Sequence, residues 1–318
     1  MLLDILWLLI GFIALIYGAD KLVDGGSALA IRLNIPNIVI GLTIVAFGTS
    51  APELVVNLIS SFEGQSALAF GNVMGSNIFN ILAILGLTAI IYPVGIKKNT
   101  IRIEIPLTFL AAILVLIMFM NQHWSDPPQY IITRWEGIIL LIFFCGFMAY
   151  TIHLAKKGEN EEIPIKHYSV LKSVLLIVLG LAGLIIGGQL LVRGAVNIAE
   201  SLGVSQRIIA ITIVSVGTSL PELATSIVAA RKKNVDMAVG NVVGSNLFNT
   251  FLVLGASATV MPVRVTWESI TDVTVNILAS LLLFMFIFFS KKQQLGRWSG
   301  SLLLLVYVAY IIFLILRR

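Results

Sequence analysis

Two stretches of the sequence decide the fold. They read IGLTIVAFGTSAPEL at residues 40–54 and IAITIVSVGTSLPEL at residues 209–223, and ten of their fifteen positions are identical. A second pair, GNVMGSNIFNILAILG at 71–86 and GNVVGSNLFNTFLVLG at 240–255, is identical at ten of sixteen positions. Both pairs are separated by the same offset of 169 residues. A fixed offset over separate blocks indicates that one structural unit is duplicated.

The composition excludes an ordinary soluble domain and a disordered chain. Of the 318 residues, 58% are hydrophobic and only 12% are charged, and the mean hydropathy is +1.00. Soluble domains carry about twice that charge, and disorder requires low hydrophobicity. The single Cys145 and three scattered histidines predict neither a disulfide framework nor a zinc site. The net charge of +5 is read as membrane orientation rather than nucleic-acid binding.

The apolar runs predict an all-α polytopic membrane protein with ten transmembrane helices, since each span needs about 20 apolar residues. The predicted spans are 3–30, 36–61, 66–92, 102–120, 132–155, 169–200, 206–230, 235–261, 269–290 and 298–316. They divide into a first repeat at 1–155, a short cytoplasmic linker at 156–168 and a second repeat at 169–318. Because each repeat holds an odd number of spans, five, the two repeats have inverted topology.

Basic residues give the orientation of these spans. With the N-terminus outside, the inside loops carry 14 Lys and Arg, while the outside loops and the C-terminus carry 5. Since Lys and Arg concentrate in cytoplasmic loops, the count predicts that both termini lie outside.

Two glutamates are expected inside the membrane, Glu53 in the second span and Glu222 in the seventh. A charge at the centre of a spanning helix costs about 2.5–3.5 kcal/mol on insertion scales, so such residues are functional candidates by default. No basic residue lies inside either core segment. A bound cation, or a proton on each carboxyl group, is therefore the natural compensation.

The residues around each glutamate predict a broken helix lined with oxygen atoms. Pro52 and Pro221 each precede a glutamate, and proline removes the helical hydrogen bond to the residue four positions back. Backbone freed in this way at membrane depth is tolerated only in protein or beside a cavity. Hydroxyl groups stand beside each break, at Thr49, Ser50, Thr218 and Ser219. Such an all-oxygen set suits hard cations such as Ca²⁺.

The second duplicated block adds further polar groups. Gly71 and Gly75 are four residues apart and permit close helix contact. Ser76 and Asn80 have the same spacing, so they share a helix face from which they can point oxygen atoms across that contact. The other asparagines of the blocks, Asn72, Asn77, Asn241 and Asn246, are assigned at most the orientation of those ligands. Asp20, Lys21 and Asp24 are read as a locally paired cluster near a helix end.

The paired motifs GTSAPE and GTSLPE, each followed by GNVxGSNxFN, resemble the two α-repeats of the sodium/calcium exchangers of the Ca²⁺/cation antiporter superfamily. The likeness covers nearly the whole chain and is closest to compact prokaryotic members. It implies a transporter of the prokaryotic inner membrane that is not an enzyme, with Ca²⁺ and Na⁺ as substrates, no cofactor and no obligate protein partner. It implies as cation ligands the acids Glu53 and Glu222, the hydroxyls Thr49, Ser50, Ser76, Thr218, Ser219 and Ser245, the amides Asn80 and Asn249, and the carbonyls of Ala46 and Ser215.

One position departs from part of that family. Some members, including potassium-dependent ones, have aspartate at the second amide position, where this chain has Asn249. With asparagine at both positions the site carries a formal charge of −2, which matches one Ca²⁺, and a K⁺ requirement is disfavoured.

The sequence leaves three rival functions open. A Ca²⁺/H⁺ antiporter would use the same two glutamates, although abundant hydroxyl and carbonyl oxygens favour Na⁺. An intramembrane hydrolase could pair Ser50 with Glu53, but a duplicated identical set is typical of two halves of one cage rather than of the dissimilar roles in an enzyme. A channel is disfavoured by the occlusion that two broken helices predict.

Overall fold

The computed structural model describes residues 2–97, 99–121, 129–156, 168–203, 213, 215–290 and 293–316. Within these ranges the chain is almost entirely helical. The helices are α1 Leu2–Leu33, α2 Asn37–Thr49, α3 Ala51–Phe62, α4 Ser66–Ile91, α5 Thr100–Met120, α6 Arg134–Ala155, α7 Val170–Ser201, α8 Ser215–Gly217, α9 Leu220–Arg231, α10 Val235–Val260, α11 Trp267–Phe288 and α12 Arg297–Leu316.

The helices have the length and apolarity of membrane spans. Within the described ranges, eight are long and apolar enough to cross a membrane, and the bent pair α2 and α3 makes a ninth if it is one span. These helices confirm the prediction of an all-helical membrane protein. The predicted span 206–230 lies partly outside the described residues, where only α8 and α9 represent it, so the number ten stays a prediction.

The two helices that carry the GNV blocks lie at the centre of the molecule. Buried residues make up 94% of the apolar window of α10 and 78% of that of α4, against 11% for α12. Small residues let α2 approach α10 closely: a Cβ atom on Gly41 would stand 2.8 Å from the Met237 carbonyl oxygen. Close backbone contact between helices is what small residues provide in a membrane, where lipid supplies no hydrophobic drive.

The long helices α1 and α7 pack against each other in antiparallel orientation along their length. Gly11, Gly18 and Gly25 of α1 recur every seven residues, and their counterparts 169 residues later are Gly180, Gly187 and Gly194 of α7. A Cβ atom on Gly18 would lie 2.7 Å from the Gly180 carbonyl oxygen. The contact is therefore backbone against backbone, with no side chains interlocked between the helices at these positions.

Gly18→Ala is expected to destabilise the protein, because the added methyl group meets backbone atoms of α7 that cannot rotate away. Overpacking of this kind costs roughly 1–3 kcal/mol. Gly146→Ala is the matched control, since Gly146 lies within the membrane-spanning α6 and a Cβ atom there meets nothing within 4 Å. Thermal unfolding in detergent should separate the two variants, and equal melting temperatures would contradict the close α1–α7 contact.

Two short antiparallel sheets join the two halves of the chain. β1 (Val94–Gly95) pairs with β4 (Gln294–Leu295), and β2 (Ile131–Ile132) pairs with β3 (Val263–Arg264). In each sheet the strand that follows a central helix, α4 or α10, pairs with the strand that precedes the last helix of the other half. β1 and β3 are themselves separated by 169 residues. The duplicated units are thus linked by equivalent sheets.

Candidate functional site

Each GTS motif interrupts a helix at its serine. The chain bends by 44° between α2 and α3, and Ser50 at the break has φ −86° and ψ 2°. Ser219, between α8 and α9, has nearly the same backbone, with φ −91° and ψ 8°. Each proline then occupies the first turn of the new helix, where its missing N–H is not needed. The predicted breaks are present in the structure.

The break places each glutamate in the first turn of a helix. Glu53 lies in the first turn of α3 and Glu222 in the first turn of α9. The unpaired N–H groups at a helix start carry partial positive charge, which favours a carboxylate there. Both glutamates have 0% exposure. The local fold therefore holds two carboxylates in the interior of the membrane domain.

The serines of the breaks connect the two halves of the site. The Ser50 hydroxyl donates to Oε1 of Glu222 at 3.1 Å, and the Ser219 hydroxyl stands 3.3 Å from Oε1 of Glu53. Each carboxylate is thus bound by the serine of the other repeat. This exchange brings the two GTS motifs together in one cluster.

The central helices add two further serines to the cluster. Ser76 of α4 places its hydroxyl oxygen 3.1 Å from that of Ser219, and Ser245 of α10 places its own 3.4 Å from Oε1 of Glu222. Both side chains are fully buried. The serines predicted from the second block therefore lie beside the carboxylates.

Threonines of the breaks donate to asparagines across the repeat boundary. The Thr49 hydroxyl stands 3.2 Å from Oδ1 of Asn241, and the Thr218 hydroxyl stands 3.4 Å from Oδ1 of Asn72. Asn241 in turn donates to Ser226 at 2.9 Å, and Asn72 donates to Asn57 at 2.7 Å. When a threonine gives its proton to asparagine, the lone pairs of its oxygen stay available.

The predicted amides lie in π-helical turns of the central helices. Asn80 belongs to the turn Phe79–Ile84 and Asn249 to the turn Phe248–Leu254, at equivalent places in α4 and α10. Such turns interrupt regular helical hydrogen bonding and are frequent at functional sites. The Asn80 amide nitrogen donates to Oδ1 of Asn246 at 3.0 Å, which leaves its own oxygen facing inward.

Four buried oxygen atoms of the predicted ligands have no partner among the described residues. They are Glu53 Oε2, Glu222 Oε2, Asn80 Oδ1 and Asn249 Oδ1. Buried polar atoms are normally hydrogen-bonded, so unpaired ones point to a ligand, water or ion. In the described part of the chain no three His, Cys, Asp or Glu residues gather as a metal cage. The cluster is therefore two carboxylates surrounded by neutral oxygen donors.

The predicted carbonyl ligands are only partly defined. The Ala46 carbonyl accepts the Ser50 N–H at 2.9 Å and lies 3.3 Å from the Thr49 hydroxyl. A cation at this oxygen would compete with the threonine, whose hydroxyl has Asn241 as its alternative acceptor. The Ser215 backbone belongs to α8, and its side chain lies outside the described residues. Both carbonyls stay predictions as ligands.

Sequence reasoning did not identify the role of one polar layer behind the cluster. Asn57 and Ser226, which hold Asn72 and Asn241, occupy positions exactly one repeat offset apart but differ in residue type. A search for identical residues passes over them for that reason. Their signal is polarity at equivalent positions of the two broken helices, four residues after each glutamate.

Known proteins resemble this chain over nearly its full length. A sequence model of the sodium/calcium exchanger protein family matches residues 3–153 and 172–316. The putative antiporter CaxA of Alkalimonas amylolytica is 36% identical over 320 residues, with 98% of each chain covered. The sodium/calcium exchanger MaX1 of Methanosarcina acetivorans is 30% identical over 344 residues, again with 98% of each chain covered.

A solved structure has the same fold. The sodium-calcium exchanger NCX_Mj, soaked with 10 mM Na⁺ and 10 mM Sr²⁺, matches with a TM-score of 0.84 and 34% identity, over 98% of both chains. The sequence likeness and the fold likeness thus agree on a transporter rather than an enzyme. The expected resemblance is confirmed: this chain belongs to the sodium/calcium exchanger family of membrane antiporters.

Proposed function

We propose that the protein exchanges Ca²⁺ for Na⁺ across the membrane, with both ions using the oxygen cluster between the two helix breaks. The observation that carries the proposal is the set of four buried, unpartnered oxygens at Glu53, Glu222, Asn80 and Asn249. Around them stand the hydroxyls of Thr49, Ser50, Ser76, Thr218, Ser219 and Ser245. The carbonyls of Ala46 and Ser215 complete the proposed ligand set.

The charge of the cluster suits one divalent cation. Two ionised glutamates give a formal charge of −2, and no ion pair involving either carboxylate occurs among the described residues. Ca²⁺ takes six to eight oxygen ligands in flexible geometry, which carboxylates, amides and hydroxyls together can supply. Na⁺ is another hard cation, so the neutral oxygens that surround the glutamates serve it as well.

The proposed architecture is ten spans in two inverted repeats, 1–155 and 169–318, with a linker at 156–168. The equivalent sheets β1–β4 and β2–β3 support it. An odd number of spans per repeat places β1 and β4 at one membrane face and β2 and β3 at the other, so each pairing joins loops of the same side. With the termini outside, β1 and β4 face the cytoplasm of a prokaryotic cell whose inner membrane holds the protein.

A cavity gives the cluster access from one side. It has a volume of about 280 Å³ and is lined by Pro52 and Val56 of α3, Gln189 and Arg193 of α7, and Thr218 beside the second break. Thr218 is a proposed ligand, so the cavity reaches the site. Under the proposed topology it opens toward the outside. Alternating access then requires this side to close while the opposite side opens, with α1 and α7 moving against the central helices.

Burial couples the two ions. An empty site with two uncompensated carboxylates is costly in a low-dielectric interior, so the occluded state forms readily only when cations fill it. This cost prevents return of the empty carrier and enforces exchange. If more than two Na⁺ move for each Ca²⁺, net charge crosses the membrane, and voltage biases exchange by about 2.3 kcal/mol per charge per 100 mV.

Uptake of ⁴⁵Ca²⁺ into proteoliposomes tests the proposed exchange. One set of vesicles is loaded with Na⁺ and the other with choline, at equal pH on both sides. Uptake should require internal Na⁺, because Na⁺ is the only exchangeable counter-ion that differs between the sets. Uptake that ignores Na⁺ but returns with an outward H⁺ gradient would retain the fold and the glutamates, and would assign the chain to Ca²⁺/H⁺ exchange instead.

A further inference from the structure

We propose that two ion-pair clusters of inverted charge act as alternating gates: Asp20, Asp24 and Lys232 close the inner side, and Glu63 and Arg193 close the outer side. This inference rests on the proposed alternating access. Neither cluster contacts the oxygen cluster described above as a ligand. Their role is to hold one side of the molecule shut while the other is open.

The inner cluster joins α1 to the end of α9. The Lys232 ammonium lies 2.6 Å from Oδ1 of Asp20 and 2.5 Å from Oδ1 of Asp24, and it donates to the Asp20 carbonyl at 3.0 Å. Lys21 bonds Asp20 at 3.1 Å, as expected from local pairing. The local interpretation is nevertheless incomplete, because the principal partner comes from more than 200 residues away.

The repeat places a charge-inverted counterpart of this cluster on the other side. Subtracting the 169-residue offset from Lys232 gives Glu63, which immediately follows α3. Adding it to Asp24 gives Arg193 of α7. The pair acid on the long helix and base on the broken helix thus becomes base on the long helix and acid on the broken helix. Opposite charge is retained across each interface although both residues have changed sign.

Packing shows that the two sides are in different states. On the inner side Ala224 and Val228 of α9 are covered by α1, with exposures of 3% and 9%. Their counterparts on α3, Val55 and Ile59, are 56% and 51% exposed. The cavity beside Pro52 and Val56 separates α3 from α7. The inner interface is therefore closed and the outer one open.

The outer pair is apart in this open arrangement. Glu63 accepts a hydrogen bond from the Gln65 amide at 3.1 Å, and the Arg193 guanidinium lies 6.0 Å from the centre of the Trp7 ring. Arg193 nonetheless lines the cavity. Glu63 follows Pro52 by eleven residues, close to three helical turns, so it lies on the helix face that borders the cavity. Closing the cavity brings these opposite charges together.

Thiol labelling measures which side is open. Cys145, the only cysteine, is replaced by serine, and Val56→Cys is introduced as a reporter in the cavity. In lipid nanodiscs a hydrophilic thiol reagent reaches the reporter only when the outer side is open. Lys232→Gln should lower the labelling rate by at least about threefold, because loss of an ion pair of this kind shifts an equilibrium by a factor of a few.

Removal of the outer pair should reverse that shift. In the Lys232→Gln background, Arg193→Gln should raise labelling toward the starting rate, because the outer-closed state then loses its own ion pair. The exchanged pair Glu63→Arg with Arg193→Glu should keep labelling low. Lys21→Gln is the control, since Lys21 bonds within α1 only.

The outcomes separate the gates from the proposed function. If Arg193→Gln leaves labelling unchanged in the Lys232→Gln background, or if the exchanged pair behaves like Arg193→Gln, the paired gates are wrong even where Na⁺-dependent uptake is intact. If the labelling pattern holds while uptake follows H⁺ instead of Na⁺, the gates stand and the assigned counter-ion is wrong.

Discussion

Replacing Glu222 by glutamine is expected to abolish Ca²⁺ exchange. The substitution keeps the size of the side chain and its acceptor oxygen for Ser50 and Ser245, which lie 3.1 and 3.4 Å from Oε1. It removes one of the two charges that compensate a buried cation. Losing one partner of a buried charge pair costs about 3–5 kcal/mol, so Ca²⁺ affinity should fall by at least about a hundredfold. Glu53→Gln should behave in the same way.

Glu104→Gln is the matched control for these variants. Glu104 has 0% exposure, accepts the Tyr150 hydroxyl at 2.5 Å and leaves Oε2 without a partner among the described residues, much like the glutamates of the site. It lies at the α5–α6 contact, outside the cluster. Equilibrium ⁴⁵Ca²⁺ binding in detergent should be lost in Glu222→Gln and retained in Glu104→Gln. Normal binding by folded Glu222→Gln would remove Glu222 from the ligand set.

Acidification is expected to weaken Ca²⁺ binding strongly. Protons and Ca²⁺ compete for the same carboxylate oxygens, since a carboxylate must be ionised to bind a metal. Each proton displaced by Ca²⁺ changes affinity by up to tenfold per pH unit, and two carboxylates set a limit of about a hundredfold per unit. Between pH 8 and pH 5, affinity should therefore fall by at least about tenfold as the pH decreases.

Other acids of the protein also titrate, so the pH effect needs its own control. Asp24→Asn removes a carboxylate of the inner cluster without touching the oxygen cluster, and its affinity should keep the same dependence on pH. Ca²⁺ affinity that stays flat from pH 8 to pH 5 would contradict carboxylate coordination. A dependence lost in Asp24→Asn would assign the proton effect to the inner cluster.

Much of the fold could be predicted because the membrane imposes long apolar runs. The predicted span 132–155 corresponds to α6 Arg134–Ala155, and 235–261 corresponds to α10 Val235–Val260. The spans gave no sign of the α1–α7 contact, although its signal was present in the sequence. The glycines at 11, 18 and 25 recur at 180, 187 and 194, but without identical neighbours a short motif search passes over them.

The site was predictable as a list of residues and not as an arrangement. Proline followed by glutamate in a spanning helix already implied a break beside a buried charge. That Ser50 binds Glu222 while Ser219 approaches Glu53 depends on how the two broken helices cross, which no local pattern encodes. The same holds for Lys232, whose partners Asp20 and Asp24 are brought to it only by the packing of α9 on α1.

Competition between the two ions tests most directly whether they share one oxygen cluster. ⁴⁵Ca²⁺ bound to the purified wild-type protein is measured at constant pH and ionic strength while Na⁺ replaces choline. Shared ligands predict that Na⁺ displaces Ca²⁺ completely, that more Ca²⁺ reverses the displacement, and that the dependence on Na⁺ is steeper than for one ion. Ca²⁺ that stays bound at saturating Na⁺, or a reduced number of Ca²⁺ sites at unchanged affinity, would contradict a shared site.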